Sequence, residues 1–315
     1  MDNIIVIGGP TATGKTALGV EMAKRFNGEV ISADSMQVYK GMQIGTAAPT
    51  SEEMDGIKHY LVREIEPEEE YNAAIFKKKA EVYMAEIRQK GKIPIIVGGT
   101  GMYINSLIYD YDMSGQAQDV VFRRDLWLTA ERHGNKYLHD MLKEIDPAEA
   151  EKTHPNNVKR VIRALEINQA NKKSKTESIG KNMDKYHTAY VALKYEPREV
   201  LYERIDQRVD VMFENGLIDE VFALYKAEKY RGLNCMQAIG YKELFDFFDG
   251  KISLDKAEDL IKKRTRNYAK RQLTWFKNDD NVVFLNVNDY EDKKHLFEYA
   301  ATYIEGKLTF HQNEQ

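Results

Sequence analysis

The N-terminal third of the chain alternates short apolar runs with helical periodicities. Ile4-Ile5-Val6-Ile7 is continuous and β-branched, as a strand buried on both faces requires. Gly8-Gly9-Pro10 breaks the run, and apolar positions then recur at helical spacing from Ala17 to Phe26. Glu29-Val30-Ile31-Ser32-Ala33 is a second strand candidate, ending at Asp34. Ala73, Phe76, Ala80, Tyr83 and Ile87 recur at spacings of three and four, which predicts a helix over 73–90 with Gly91 as its C-terminal cap. Ile93-Pro94-Ile95-Ile96-Val97 follows as a third strand, with Pro94 near its start, where proline is tolerated. Strands alternating with helices predict an α/β fold with a parallel sheet covered on both faces.

The pattern changes near residue 115. Residues 115–184 are charged, rich in helix formers and without a convincing strand. Strand character returns at Tyr186–Leu193, helices resume at Arg198, and Val282-Val283-Phe284-Leu285 is a last strand candidate. The expected architecture is a discontinuous core, 1–114 with 185–315, interrupted by a helical insertion domain at 115–184. The polar end, His311 to Gln315, is expected to fray.

Composition narrows the class. The 315 residues are 43% hydrophobic and 30% charged, which excludes wholesale disorder and fibrous repeats. No apolar run approaches the roughly 18 residues of a membrane helix. The start lacks a basic segment followed by a long apolar one, so no signal peptide is expected and the chain reads as cytosolic. A single cysteine, Cys235, excludes an internal disulfide and a thiolate metal cluster; a buried structural thiol is expected. The net charge of −4 argues weakly against a nucleic-acid partner, but 46 basic and 50 acidic side chains leave room for local segregation.

Gly9-Pro10-Thr11-Ala12-Thr13-Gly14-Lys15-Thr16 fits G-x-x-x-x-G-K-[ST] between a predicted strand and a predicted helix. Such a loop turns backbone N–H groups toward phosphate oxygens, and the helix N-terminus adds positive potential. Lys15 would place a charge on the phosphates and the Thr16 hydroxyl would hold Mg²⁺. The motif specifies a polyphosphate without saying which. Nucleotide hydrolases of this class usually carry a carboxylate at the end of a later strand. Here that strand ends in Gly98-Gly99-Thr100-Gly101, and the acid instead follows the second strand, at Asp34-Ser35. The loop is therefore suited to a diphosphate whose organic part is transferred. The core is read as P-loop NTPase-like.

Gly9–Thr16 (GPTATGKT) and Ile31–Ala47 (ISADSMQVYKGMQIGTA) resemble the tRNA dimethylallyltransferases, the bacterial tRNA isopentenyltransferase family. Val97–Tyr103 (VGGTGMY), His154–Glu166 (HPNNVKRVIRALE), Ala238–Glu243 (AIGYKE) and Lys270–Phe276 (KRQLTWF) extend the resemblance, in the family's order, over nearly the whole chain. It implies transfer of a dimethylallyl group from dimethylallyl diphosphate to N6 of adenosine 37 of tRNA, with Mg²⁺, and an insertion that grips the anticodon stem-loop. It also implies a channel that the flipped base enters at one mouth and the diphosphate at the other. A monomer is expected. The zinc finger that eukaryotic members often add at the C-terminus is not expected in a chain with one cysteine.

The chemistry is consistent with the residues. The diphosphate leaves with growing negative charge where Lys15, Thr16 and the loop amides stand. Adenine N6 is a poor nucleophile, and a base that takes its proton would help. Asp34 could be that base or could cap the following turn; the resemblance implies the base. Ser35 and Gln37 could hydrogen-bond the flipped base, and the resemblance places Met36 in the same segment. It also implies catalytic Thr100 beside the diphosphate or the RNA, with Arg123 nearby. Lys262 to Arg271 is a basic run without an acid, followed by Trp275 and Phe276. A solvated helix face and an RNA surface are both open for it, and the resemblance favours RNA for Lys270, Arg271 and Gln272. Lys159, Arg160 and Arg163 form a second basic cluster, with Lys159 and Arg163 on one helix face. Gly240-Tyr241 would lie near the RNA, Tyr241 stacking on a base or simply packing. His154 is assigned no chemistry. A small-molecule P-loop kinase would share Gly9–Thr16 and Asp34 but leaves the basic aromatic segment unexplained. Transfer to free adenine nucleotide stays within the chemistry but leaves the insertion unexplained. An RNA-binding GTPase-like switch lacks its base-recognition motif and its hydrolytic acid.

Overall fold

The computed structural model describes residues 2–111, 119–171 and 185–310. Its contacts separate two compact units, Met1–Ile104 with Asp184–Gln315, and Asn105–Met183. The boundary expected at 115 thus falls at Ile104–Asn105. A helix, Gly101–Ile108, runs through it, so the change in composition marks it late. The expected fraying of His311–Gln315 lies outside the described residues. Among the described residues no helix is long and apolar enough to cross a membrane.

The first unit is built on six parallel strands: β1 (Asp2–Gly8), β2 (Gly28–Ser32), β3 (His59–Tyr60), β4 (Ile93–Val97), β5 (Tyr186–Lys194) and β6 (Val283–Asn286). Their order across the sheet is β3-β2-β4-β1-β5-β6. β1 is central, paired with β4 from Ile5↔Ile95 to Ile7↔Val97 and with β5 from Asp2↔Tyr186 to Gly8↔Ala192. Ile4, Ile5, Val6 and Ile7 are fully buried, which accounts for a run without polar alternation. The sequence pattern locates every strand except β3, which is too short to show a periodicity.

Helices cover both faces. α1 (Lys15–Arg25), α2 (Ser51–Met54), α3 (Ala73–Gln89) and α4 (Gly101–Ile108) precede the insertion. Asn72 caps α3 through Ala74 N–H and Ile75 N–H, and Gly91, with φ of 68°, follows its end. One core cluster joins Leu18 and Met22 of α1 to Ile5, Ile7, Leu296 and Ile304. A second joins Leu201 and Ile205 to Ala269 and Leu273.

The second unit holds α5 (Val120–His133), α6 (Asn135–Ile145), α7 (Pro147–Lys152) and α8 (Val158–Asn171) around Leu126, Leu138, Leu142, Val161 and Leu165. Asp146 caps α7 through Glu149 N–H at 3.0 Å. The first unit then closes with α9 (Arg198–Glu214), α10 (Leu217–Lys226), α11 (Tyr241–Phe248), α12 (Leu254–Lys277) and α13 (Lys293–Phe310).

A carboxylate in α10 shapes the loop that follows β2. Glu220 accepts N–H hydrogen bonds from Gln43 at 2.8 Å, Ile44 at 2.7 Å and Gly45 at 3.0 Å, and the Tyr241 hydroxyl donates to it at 2.7 Å. Successive backbone donors converging on one carboxylate form a charge-assisted anchor. Tyr241 is fully buried, its ring against Gly45, where a Cβ would stand 2.6 Å from the ring. Glu220→Ala strands these donors and is expected to cost roughly 1.5–3 kcal/mol in urea denaturation. Glu220→Gln, which keeps one acceptor, is expected to cost less.

Candidate active site

Three loops meet at the carboxyl ends of adjacent strands. Gly9–Thr16 follows β1, Asp34–Gln37 follows β2 and Gly98–Thr100 follows β4. At Gly9, φ is +131° and a Cβ would stand 2.6 Å from Leu193 O, so only glycine lets the loop turn there. A Cβ on Gly98 would collide with Ala33 O, and Thr100 N–H donates to that carbonyl at 3.2 Å. The ends of β2 and β4 are thereby held against each other.

The phosphate loop is closed by its own side chains. The Thr13 hydroxyl, buried, donates to Pro10 O at 2.8 Å, and Lys15 Nζ donates to the same oxygen at 2.6 Å. Gly14 lies in the left-handed region and caps α1, whose first turn carries Lys15 and Thr16. Thr11 N–H and the Ala12 carbonyl are both engaged from outside the loop, by Gln272 Oε1 at 3.1 Å and Arg204 Nε at 3.3 Å. Burial and the neighbouring Arg208 guanidinium lower Lys15 to about 7, against the opposing pull of Asp34. Arg208 donates to Thr11 Oγ1 at 3.4 Å; burial lowers its own pKa, while Glu53 and Asp34 oppose that. Arg204 and Arg208 belong to no motif. Their only signal is a spacing of four, which gives them one face of α9.

Asp34 fills one of its two expected roles by direct contact. Its Oδ1 accepts Met36 N–H at 2.8 Å and Gln37 N–H at 3.3 Å, capping the turn. Its Oδ2 makes no hydrogen bond among the described residues, so the carboxylate can cap with one oxygen and accept a proton on the other. Ser35 and Met36 are partly exposed in that turn. Gln37 is held by its own loop. Its carbonyl accepts from Ser32 Oγ at 3.0 Å and its amide donates to Thr46 O at 3.3 Å and Ala47 O at 3.0 Å. The amide nitrogen is engaged by the loop, and the carbonyl keeps one lone pair for a further donor.

Aromatic side chains line the approach to Asp34. Tyr71 packs edge-on against Tyr103 at 5.8 Å, and Tyr103 stacks on Phe76 at 4.7 Å. Burial raises Tyr71, Tyr103 and Tyr268, with Asp34 adding to each, and Tyr268 is pushed up to about 12. All three are neutral at physiological pH. Among the described residues the buried hydroxyls of Tyr71 and Thr100 have no hydrogen-bond partner, with the Tyr268 side chain a polar neighbour of Thr100.

The basic run of α12 divides. Lys262 pairs with Asp210 and Glu258, Arg264 with Glu243 and Arg266 with Asp206. These are structural pairs. Lys270 and Arg271 are exposed, over the rings of Tyr202 and Tyr268. Gln272 is 5% exposed, bound to Thr11 N–H and, through its amide, to Gly99 O at 3.0 Å. It is therefore bound to the two loops instead of lying exposed beside Lys270 and Arg271. Of the two roles open for Tyr241 the structure shows packing, and Gly240 beside it is buried. The tyrosine is locked on Glu220, and Gly240 N–H donates to Glu243 Oε2 at 2.8 Å. Cys235 is buried, as expected, with Sγ 3.2 Å from Pro67 O.

Arg123, Lys159, Arg160 and Arg163 lie in the second unit. Arg123 grips Glu166 through two nitrogens at 2.8 and 2.6 Å, which makes it an internal brace. Arg163 joins the same carboxylate at 3.4 Å, and Arg160 reaches Glu149 at 3.3 Å. Lys159 is exposed and unpaired among the described residues.

No cluster of three or more His, Cys, Asp or Glu side chains suited to a metal occurs among the described residues. The Thr16 hydroxyl, free of hydrogen bonds there, is a hard oxygen donor beside the phosphate loop. Mg²⁺ usually takes few protein ligands and completes its shell with phosphate oxygens and water, so this donor set fits it.

The family model for IPP transferases matches residues 37–279. The chain belongs to the IPP transferase family. It is 49% identical to a tRNA dimethylallyltransferase of Acetivibrio thermocellus over 310 residues, 96% of this chain and 99% of that protein. A tRNA dimethylallyltransferase of Bacillus pumilus is 47% identical, covering 97% and 96%. Among solved structures, a full-length tRNA isopentenylpyrophosphate transferase of Bacillus halodurans superposes with a TM-score of 0.74 at 43% identity, covering 99% of this chain and 100% of that one. A eukaryotic dimethylallyltransferase acting on tRNA superposes at 0.76 with 32% identity, covering 93% and 76%. This IPP transferase carries its phosphate loop and Asp34 ahead of the region matched by the family model, while the whole-chain relatives span them.

A lysine near 7 makes anion binding proton-linked. Phosphate oxygens favour the charged form, so the bound pKa rises above the free one. Pyrophosphate binding with Mg²⁺ should therefore take up close to one extra proton at pH near 8 and almost none near pH 6, and weaken as pH climbs past about 7. Calorimetry in buffers of different ionisation enthalpy measures that uptake. Lys15→Arg, charged throughout, should lack it.

Proposed function

We infer that this protein transfers the dimethylallyl group of dimethylallyl diphosphate to N6 of adenosine 37 in tRNA. The observation that carries the reading is the meeting of a cationic diphosphate loop with a carboxylate that keeps one oxygen free, at the carboxyl ends of the two strands that flank β4. The names of the relatives support the substrate pair.

The reaction breaks the bond between the allylic carbon and the diphosphate oxygen, and the electron pair leaves with the diphosphate. Protonated Lys15, Arg208 and the loop amides stand where that charge grows. Mg²⁺, held by Thr16 and the diphosphate, would neutralise part of it. The N6 lone pair attacks the same carbon, and the N6 proton passes to Asp34 Oδ2. Neutral Tyr71, Tyr103 and Tyr268 screen the allyl fragment from water and offer ring faces to its growing positive charge. Lys270 and Arg271 would meet RNA phosphates, and the second unit, through Lys159 and the outer edges of Arg160 and Arg163, would hold the anticodon stem-loop. Flipping a base from a single-stranded loop costs only a few kcal/mol, which such contacts can recover.

A small-molecule kinase would share the loop and Asp34, but the whole-chain relatives bear no such name. The test uses purified protein, Mg²⁺, labelled dimethylallyl diphosphate and unmodified bulk tRNA, with AMP and ATP as parallel acceptors. Label on a tRNA adenosine is expected. Label on AMP or ATP alone overturns the RNA substrate. Asp34→Asn separates base from cap, because the asparagine oxygen still accepts Met36 N–H and Gln37 N–H. Its kcat should fall roughly 10²–10⁴-fold, whereas unchanged kcat would leave Asp34 only as a cap.

A further inference from the structure

Helix α12 is seated directly on the loops that end β1 and β4. A Cβ on Gly99 would collide with Gln272 Nε2, one on Gly101 with the Trp275 ring, and one on Gly8 would stand 2.7 Å from Phe276 Cε1. Each of these glycines makes room for a different α12 side chain. Trp275 and Phe276 supply apolar contact. Gln272 alone is polar, and its amide is used at both ends, accepting Thr11 N–H at 3.1 Å and donating to Gly99 O at 3.0 Å. A planar amide has one carbonyl and one NH₂ a fixed distance apart. Bound this way, it sets the separation between the phosphate loop and the turn that carries Thr100. At 5% exposure no solvent competes for either bond. On the same helix, Lys270 and Arg271 are exposed, over the rings of Tyr202 and Tyr268.

We propose that Gln272 is a positioning residue for the diphosphate, holding the phosphate loop in register with the Thr100 turn while its neighbours Lys270 and Arg271 serve the RNA. The assignment rests on the diphosphate reading of the loop. It separates two adjacent positions by the substrate each governs. Losing Gln272 affects the diphosphate, and losing Arg271 affects the tRNA.

The test measures Mg²⁺-pyrophosphate and bulk tRNA binding separately, with KM for each substrate. Gln272→Met keeps the buried volume and removes both hydrogen bonds. Its pyrophosphate Kd and its KM for dimethylallyl diphosphate should rise roughly 3–10-fold, the loss of one or two modest hydrogen bonds, with tRNA affinity unchanged. Arg271→Ala should show the opposite split. Gly99→Ala attacks the same contact from the other side and should weaken pyrophosphate binding similarly. Since both changes break one contact, Gly99→Ala combined with Gln272→Met should be no worse than the worse single variant. Wild-type pyrophosphate affinity in Gln272→Met, an equal loss toward both substrates, or additive effects in the double variant overturns the proposal. Wild-type protein that fails to bind pyrophosphate removes the functional reading, and the proposal with it.

Discussion

The site depends on the parallel pairing of β2, β4 and β1 as neighbours. Parallel strands all finish at the same edge, so their following loops must share that edge. The order β2-β4-β1 therefore delivers the Asp34 turn, the Thr100 turn and the phosphate loop side by side, although they lie far apart in sequence. The closeness is enforced by missing side chains. Gly9 lies on the Leu193 carbonyl and Gly98 on the Ala33 carbonyl, and neither contact survives a Cβ. The β-branched strands supply the burial that holds this edge rigid, and the glycines convert the rigidity into approach.

Rigidity has an electrostatic consequence. Lys15 and Arg208 are like charges drawn close together and away from water, and burial lowers both pKa values. Asp34 opposes the shift without cancelling it. The free site is thus short of negative charge, and an anion entering it relieves an existing repulsion instead of creating a new interaction from nothing. Asp34 is in turn fixed by two backbone N–H groups, so the same carboxylate that tempers the cations is preorganised toward whatever enters between them. The tyrosines beside it stay neutral and add no competing charge.

What could be read from the sequence was local. The strand Ile4–Ile7, the helix 73–90 with its Gly91 stop and the loop Gly9–Thr16 each announce themselves within a few residues, because period, cap and motif are short-range properties. Partners are long-range properties, and there the sequence is silent. Gln37 looks wholly free until Thr46 and Ala47 take its amide nitrogen. Tyr241 looks like a stacking residue until Glu220 takes its hydroxyl and Gly45 its ring face. Gln272 sits in a motif beside two cations and was grouped with them, although one step along a helix turns a side chain by about 100°. Arg208 has no motif at all and becomes visible only once α9 is laid over the phosphate loop.

The basic run of α12 shows why counting charges is not counting available charge. Lys262, Arg264 and Arg266 are met by Asp210, Glu258, Glu243 and Asp206, acids that come largely from other segments. Those pairs staple the helix to its neighbours and contribute little outward field. The C-terminal half of the run lacks such acids: Lys270 and Arg271 lie over aromatic rings, which attract a cation without neutralising it. A phosphate backbone meeting this helix would find positive charge there, one residue from the amide that sets the phosphate loop, as well as at exposed Lys263. An acidic chain can therefore serve a polyanion, because its acids neutralise the cations that hold the fold and leave uncovered those beside the site.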